Sequence, residues 1–168
     1  MNGPANTHSE TMAAYLAGPE TLAAAVSQLT EMQLRMSLRR DSWTIRQIIH
    51  HIVDGDDVWK GFIKQAIGNP GSEFSLAWYW AIPQDTWAAR WRYAEREIEP
   101  SLSLFRANRL HIAQLLHANP AAWDHELNIC RPQGKSETMT IAQVVEMQTW
   151  HAAHHLSAIQ DILRTHPQ

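Results

Sequence analysis

The sequence predicts an all-α protein, a four-helix bundle whose helices are joined by long crossover connections. Long segments repeat apolar residues at the three-and-four spacing of an amphipathic helix. Two of these segments open with the capping-box pattern, a threonine followed three residues later by glutamine, at Thr44-Gln47 and Thr140-Gln143. The β-prone pieces between the segments are short and too few to build a sheet, so we expect the helices to cover one another.

The first half of the chain divides at turn-forming residues. Residues 1–8 are predicted to be a disordered tail, and residues 9–168 a single domain. The first helical region, residues 9–29, is expected to kink or break at Gly18-Pro19, because proline opens a helical segment more readily than it continues one. A second helix is predicted from Thr44 to about Ile67.

The second half adds two helices and two long connections. The aromatic crossing segment 73–83 is expected to plug the core rather than to form a substrate lid. A third helical region, residues 84–117, must kink or split at Pro100, because an interior proline lacks the backbone donor. After a connection over residues 119–139, the fourth helix is predicted to run from residue 140 to about 164.

Composition and charge exclude several classes of function. A net charge of -3 argues against binding nucleic acid through phosphate contacts. No apolar run approaches the roughly 18 residues of a membrane span, and the N-terminus lacks the pattern of a signal peptide. The one cysteine, Cys130, excludes an internal disulfide, and we expect a cytoplasmic protein. The eight tryptophans offer large rigid surfaces to a ligand or to a second copy of the chain.

Three histidines lie close together in the fourth predicted helix. His151 and His155 are one turn apart on its apolar stripe, whereas His154 points to a flank. Two imidazoles at this spacing are how one helix offers two nitrogens to a transition metal. The alternative is a pair of hydrogen-bonded core histidines, and the pair by itself leaves both interpretations open.

A third imidazole is predicted on the second helix. His51 falls on the core face beside Ile48 and Ile52, whereas His50 falls on a face with Arg46 and other charged residues that should be solvated. Burying two apolar stripes that are each interrupted by an imidazole would be costly unless the rings share a partner. A common metal ion would supply that partner.

The motifs around these histidines match a known family. The chain reads WTIRQ at 43–47, HHIVD at 50–54 and WHAAHHL at 150–156, after the opening YLAGP at 15–19. With these motifs it resembles the DinB/YfiT-like superfamily of metal-dependent proteins, from about residue 13 to residue 162.

This resemblance implies a four-helix bundle with an unusual connection order and a divalent-metal site made by His51, His151 and His155. It implies zinc or nickel as the metal, a small-molecule substrate, and either hydrolysis or S-transfer with a low-molecular-weight thiol. It also implies a homodimer. Relatives close to YfiT carry His-Pro and Gly before the last helix, where this chain reads Cys130-Arg131-Pro132-Gln133-Gly134. If that histidine helps to bind substrate, the substrate or activity here should differ.

Three histidine ligands leave an open position on the metal, so we expect bound water or a thiolate as the nucleophile, with no catalytic residue identified in the chain. We expect Asp54, His50 and His154 to accept or donate hydrogen bonds to the metal ligands. For Asp54, a pairing with His50 or with Arg46 is an equal alternative. The pocket candidates are Gly55, Trp78, Trp80 and Trp150.

Three functions follow from these predictions. The first is a metal-dependent hydrolase or thiol S-transferase that acts on a small molecule. The second is a stress-related bundle protein that binds metal or ligand without catalysis. The third treats the histidines as structural and the bundle as an interaction scaffold. For Arg109 we predict a position on the surface rather than a role in binding an anionic substrate.

Overall fold

A computed structural model describes residues 4–131, 134 and 136–165. Within them the chain forms seven α-helices, a short 3-10 helix at Pro120–Asp124 and three β-strands. In chain order the elements are α1 (Pro4–Val26), α2 (Glu31–Leu34), α3 (Ile45–Gly68), β1 (Glu73–Ser75), α4 (Ala77–Trp80), α5 (Gln84–Arg90), α6 (Ile98–Ala118), β2 (Glu126–Cys130), β3 (Ser136–Thr140) and α7 (Ile141–Thr165).

The predicted four-helix bundle is confirmed, and it consists of α1, α3, α6 and α7. Helices α1 and α3 each pack against both α6 and α7. Helix α1 therefore lies diagonally from α3, and the connection between them, residues 27–44, crosses the bundle. This arrangement places α3 directly against α7, the two helices that carry the predicted metal ligands.

The helix starts follow the predicted capping boxes. In each box the threonine hydroxyl accepts from the glutamine backbone N–H, and the glutamine side chain accepts from the threonine backbone N–H. This reciprocal pair starts α3 at Thr44 and Gln47 and α7 at Thr140 and Gln143. Each box satisfies two backbone donors that have no partner within the helix.

The first helix is longer than predicted. It begins at Pro4, inside the segment expected to be disordered, while residues 1–3 lie outside the described residues. The ring of His8 stacks on Trp123, with 4.6 Å between centroids and 8° between planes. This contact joins residues more than a hundred positions apart in the sequence, so local composition could not reveal it.

A kink or a break was predicted at Pro19, and the break does not occur, because the proline lies inside the single helix α1. A proline has no N–H to offer the carbonyl four residues earlier, which here belongs to Tyr15. The Arg109 guanidinium donates to that carbonyl instead, at 2.6 Å. Gly18 provides the space, because a Cβ at that position would lie 2.5 Å from the Arg109 Nη1 atom. A tertiary contact thus replaces the missing helical hydrogen bond.

The region predicted to kink or split at Pro100 is split, but not at the proline itself. The break precedes the proline: α5 ends at Arg90, Arg92 has a positive φ of 58°, and α6 begins at Ile98. Pro100 then lies in the first turn of α6, where a backbone N–H has no helical partner in any case.

A small three-stranded sheet corrects the expectation that the β-prone pieces form none. Strand β2 pairs in parallel with β1, with Phe74 opposite Ile129, and antiparallel with β3, with Leu127 opposite Met139. Leu127 and Ile129 are fully buried, so the sheet closes one end of the bundle core. Strands β1 and β2 are separated by about fifty residues, and their pairing depends on the fold that brings them together.

Two apolar clusters form the core, and a polar layer separates them. One cluster lies at the sheet end and includes Tyr15 and Phe62, and the other includes Phe105 and Ile159. Along each bundle helix the chain passes from one cluster to the other through a small or polar position. These positions are Gly18 in α1, Asp56 in α3, Arg109 in α6 and Gln148 in α7.

Among the helices that the structure describes, none combines the length and the hydropathy needed to cross a membrane.

Candidate metal centre and adjoining cavity

The structure brings His51 of α3 together with His151 and His155 of α7. One ring nitrogen from each lies within 4.8 Å of the other two. The Nε2 atoms of His51 and His151 are 3.1 Å apart. Two imidazole nitrogens bound to one tetrahedral zinc ion would be about 3.3 Å apart, given Zn–N bonds of about 2.0–2.1 Å. The three side chains therefore suit a single transition-metal ion after small adjustments.

The three imidazoles are neutral at physiological pH. Burial, and then the neighbouring rings, lower the pKa of His51 to about 3 from its ordinary value of 6.5. The same causes lower the pKa of His151 to about 4 and that of His155 to about 4. A metal binds the neutral imidazole, so the site does not have to lose protons before it accepts an ion.

The side chain of Trp43 packs against the His51 ring. Its indole meets that ring edge to face, with 4.6 Å between centroids and 67° between planes. The indole N–H donates to the carboxylate of Asp85 in α5, which fixes the indole in this position. Trp43, in the connection between α1 and α3, and Asp85 of α5 thus support the candidate metal centre from parts of the sequence without histidines.

A cavity of about 270 Å³ opens beside His51 and His151. Its other lining residues are Ile52, Gly55, Asp56, Trp59, Tyr79, Gln84, Arg109, Met147, Gln148 and Trp150. Gly55 leaves modest extra space, because an added Cβ would lie 3.6 Å from the His151 Cε1 atom, an ordinary contact. Trp150 is 64% exposed and stacks on His154, so it forms part of the cavity rim.

Two predicted pocket residues lie elsewhere. Trp78 is half-exposed and lines a separate cleft together with Asp54. Trp80 packs against the core cluster at the sheet end and lies under the guanidinium of Arg131, 4.6 Å from its ring centroid. Their neighbour Tyr79 is the aromatic residue of α4 that reaches the cavity, because this short helix turns it inward. The aromatic crossing segment therefore contributes Trp80 to the core packing and Tyr79 to the cavity lining.

Asp54 and His50 do not support the metal ligands as predicted. Asp54 pairs with Arg96 at 2.9 Å. His50 is fully buried rather than solvated, and its ring bonds with the Ser101 hydroxyl and the Arg96 carbonyl. The segment that leads into α6 covers this face of α3, which a helical wheel cannot show. His154 is exposed and meets the edge of His155, with 5.3 Å between centroids.

The described residues Cys130 and Arg131 belong to the motif that departs from the family pattern. Cys130 is the last residue of β2 and pairs with Ser136 of β3. The Arg131 guanidinium forms an ion pair with Glu137 and lies over the Trp80 ring. Pro132 and Gln133 lie outside the described residues. None of the described residues of this motif lines the cavity.

A buried ion pair forms the cavity floor and corrects the surface role predicted for Arg109. Arg109 is 1% exposed and Asp56 is 3% exposed. The guanidinium donates to Asp56 Oδ1 from Nε at 3.1 Å and from Nη2 at 3.0 Å. Burial raises the pKa of Asp56 to about 6, and the charge and hydrogen bonds of Arg109 limit that rise. The carboxylate is therefore ionised at neutral pH.

Asp56, Arg109 and Gln148 were not predicted as cavity residues. The signal for Gln148 was present, since a polar amide on the apolar stripe of α7 requires a buried partner. Asp56 lies four residues after Ile52 and seven after Ile49, so a carboxylate on the apolar stripe of α3 was also readable. Nothing near Arg109 in the sequence distinguished it from a surface arginine.

The chain has relatives among known proteins. A protein of Geobacillus thermodenitrificans that is provisionally named a metal-dependent hydrolase is 28% identical over 163 residues, which cover 95% of this chain and 88% of that protein. A protein of Halalkalibacterium halodurans with the same provisional name is 30% identical over 86% of this chain and 80% of its own length.

The fold has a solved counterpart in YfiT of Bacillus subtilis, which is described as a probable metal-dependent hydrolase with an unusual four-helix bundle topology. The two chains agree with a TM-score of 0.82 at 19% identity, over 98% of this chain and 90% of YfiT. At this identity the likeness shows the fold. The family model of the DinB superfamily matches residues 14–159. The match spans most of the chain, which therefore belongs to the DinB superfamily.

Proposed function

We propose that this protein is a metal-dependent hydrolase acting on a small molecule, with one zinc or nickel ion held by His51, His151 and His155. The observation that carries the proposal is the convergence of three neutral imidazole nitrogens at the edge of a cavity. The provisional names of the relatives support hydrolysis as the reaction class.

The donor set fits such an ion. Three nitrogen ligands without a carboxylate among them suit zinc or nickel better than magnesium or calcium, which prefer oxygen. Three protein ligands are also typical of catalytic sites, where a further position stays open. When bound, a divalent ion of this kind polarises a carbonyl group and lowers the pKa of water to about 7.

The residues of the chain have separate roles in this proposal. The three histidines hold the ion, and Trp43 with Asp85 keeps the His51 ring in place. Trp59 and Met147 give the cavity apolar walls that exclude water from a bound substrate. A volume of about 270 Å³ is small for a ligand site, so the substrate is a small molecule.

Metal content and turnover test the proposal. Protein purified without an affinity tag should bind about one equivalent of zinc or nickel, and His155→Ala should bind far less. The exposed His111 of α6 gives the matched control, since His111→Ala should keep the full metal content. Uptake below about a tenth of an equivalent by the unsubstituted protein would overturn the metal site.

Turnover then separates the reactions. Metal-loaded protein should hydrolyse members of a panel of small esters and amides. Turnover only when an electrophile and a small thiol are both added would instead assign S-transfer. Metal binding without turnover on either panel would favour the non-catalytic binding protein. The homodimer implied by the family resemblance stays a prediction, which light scattering of the purified protein would test.

A further inference from the structure

Two buried oxygen atoms on the cavity floor require explanation. Asp56 and Gln148 are each 3% exposed, and both line the cavity. Among the described residues, neither the Asp56 Oδ2 atom nor the Gln148 Oε1 atom has a hydrogen-bond partner. Native proteins seldom leave buried polar atoms unpaired, and those left unpaired often mark a position for water or a ligand.

The hydrogen bonds around these two atoms leave both of them as acceptors. Gln148 Nε2 donates to the Asp56 carbonyl at 3.1 Å, which leaves its Oε1 atom as the free end of the amide. Arg109 donates to Asp56 Oδ1, to the Tyr15 carbonyl and to the Gln148 carbonyl. These contacts use four of the five guanidinium N–H groups, and the charge is balanced by Asp56. An anionic group placed against Asp56 Oδ2 and Gln148 Oε1 would meet only lone pairs on these two atoms, and the negative charge of the carboxylate.

We propose that this floor binds the end of the substrate remote from the metal, and that this end is a neutral hydrogen-bond donor such as a hydroxyl or a primary amide. The inference rests on the proposed function, because the metal would bind the reacting end. Neutrality follows from the ion pair, since an added cation would be buried without a counter-charge. The apolar walls formed by Ile52, Trp59 and Met147 suit a hydrocarbon link between the two ends.

Matched hydroxamic acids test the subsite in the zinc-loaded protein. One series consists of straight-chain hydroxamic acids of increasing length, and in the second series a hydroxyl replaces the terminal methyl. Both series chelate zinc in the same way, so they differ only at the remote end. At one chain length the hydroxyl compound should bind about tenfold more tightly by calorimetry, the effect of a hydrogen bond to an ionised or amide acceptor.

The substitution Gln148→Met assigns the preference to the floor. It removes one acceptor with little change in volume, so the preference should fall by roughly fivefold. Gln160→Met is the matched control, because Gln160 is exposed on the same helix, and it should leave the preference intact. Equal affinity for the two series at every length, with binding still dependent on zinc, would overturn the subsite and leave the metal site standing.

A second measurement covers the case in which hydroxamates do not bind through zinc, which would count against the proposed function itself. In protein treated with a chelator, butanamide should shift the NMR signal of the Gln148 side-chain amide. The methyl ketone of the same shape, which has no donor, should shift it much less. Equal shifts from both probes, or none from either, would show that the floor holds only water and would refute the subsite.

Discussion

Replacing Arg109 by methionine should remove a large part of the stability of the fold. Arg109 lies on α6 and hydrogen-bonds to the other three bundle helices, at the Tyr15 carbonyl of α1, the Asp56 carboxylate of α3 and the Gln148 carbonyl of α7. Its guanidinium also lies 4.2 Å from the Tyr15 ring centroid. Methionine keeps the aliphatic part of the side chain and removes every one of these polar contacts.

The magnitude follows from what the substitution leaves behind. Removing one partner of a buried ion pair costs about 3–5 kcal/mol, because the other charge stays buried without compensation. The Tyr15 carbonyl, which Pro19 deprives of a helical partner, would lose its donor at a further cost of about 1–3 kcal/mol. These costs partly overlap, so we expect a loss of at least about 3 kcal/mol from a total of about 5–15 kcal/mol.

Urea denaturation followed by circular dichroism measures this loss. The control is Arg106→Met, one turn earlier on α6, where the arginine side chain is 66% exposed and pairs with an equally exposed Glu20. Its effect should stay within about 0.5 kcal/mol. Adding Asp56→Leu to Arg109→Met should restore part of the stability, since it removes the unpaired charge. A loss below about 1 kcal/mol for Arg109→Met, with an unchanged urea dependence, would refute the assigned role of the ion pair.

Three further predictions concern the candidate centre. In metal-free protein the folded pKa values of the three clustered histidines, about 3 to 4, lie below the ordinary value of 6.5, so the stability should be full above about pH 6.5 and fall as the pH drops towards 4. The raised pKa of Asp56 opposes this trend, but it involves one proton against three. A melting temperature that does not fall between pH 7 and pH 5 would contradict the prediction. Gly55→Ala should raise the free energy of unfolding by about 0.5–1 kcal/mol, because alanine favours the helix and its Cβ fits beside His151. The added methyl group narrows the cavity and should weaken ligand binding. A lower melting temperature for this variant would contradict the stability prediction. Asp85→Ala should free the Trp43 indole and weaken zinc binding by about tenfold in a chelator competition, whereas equal zinc affinity would show that the indole does not need this anchor.

The sequence by itself determined the features that depend on neighbours along the chain. The capping boxes at Thr44 and Thr140 start α3 and α7 because each hydrogen bond joins residues three positions apart. The four-residue spacing of His151 and His155 puts both rings on one face, and the apolar residues around His51 turned that ring inward. These local relations were enough to predict the bundle and to bring three imidazoles together.

Only the tertiary structure decided which polar residues are buried and what they contact. His50 was predicted to be solvated, but it is covered by Ser101 and the Arg96 carbonyl from about fifty residues away. Arg109 looked like a surface residue until the fold placed it against Asp56 and Tyr15, 94 positions earlier. Burial of a charge depends on the partner that compensates it, and that partner is set by the packing of whole helices. The parallel pairing of β1 with β2 was likewise decided by the tertiary structure, because the two strands are far apart in the sequence.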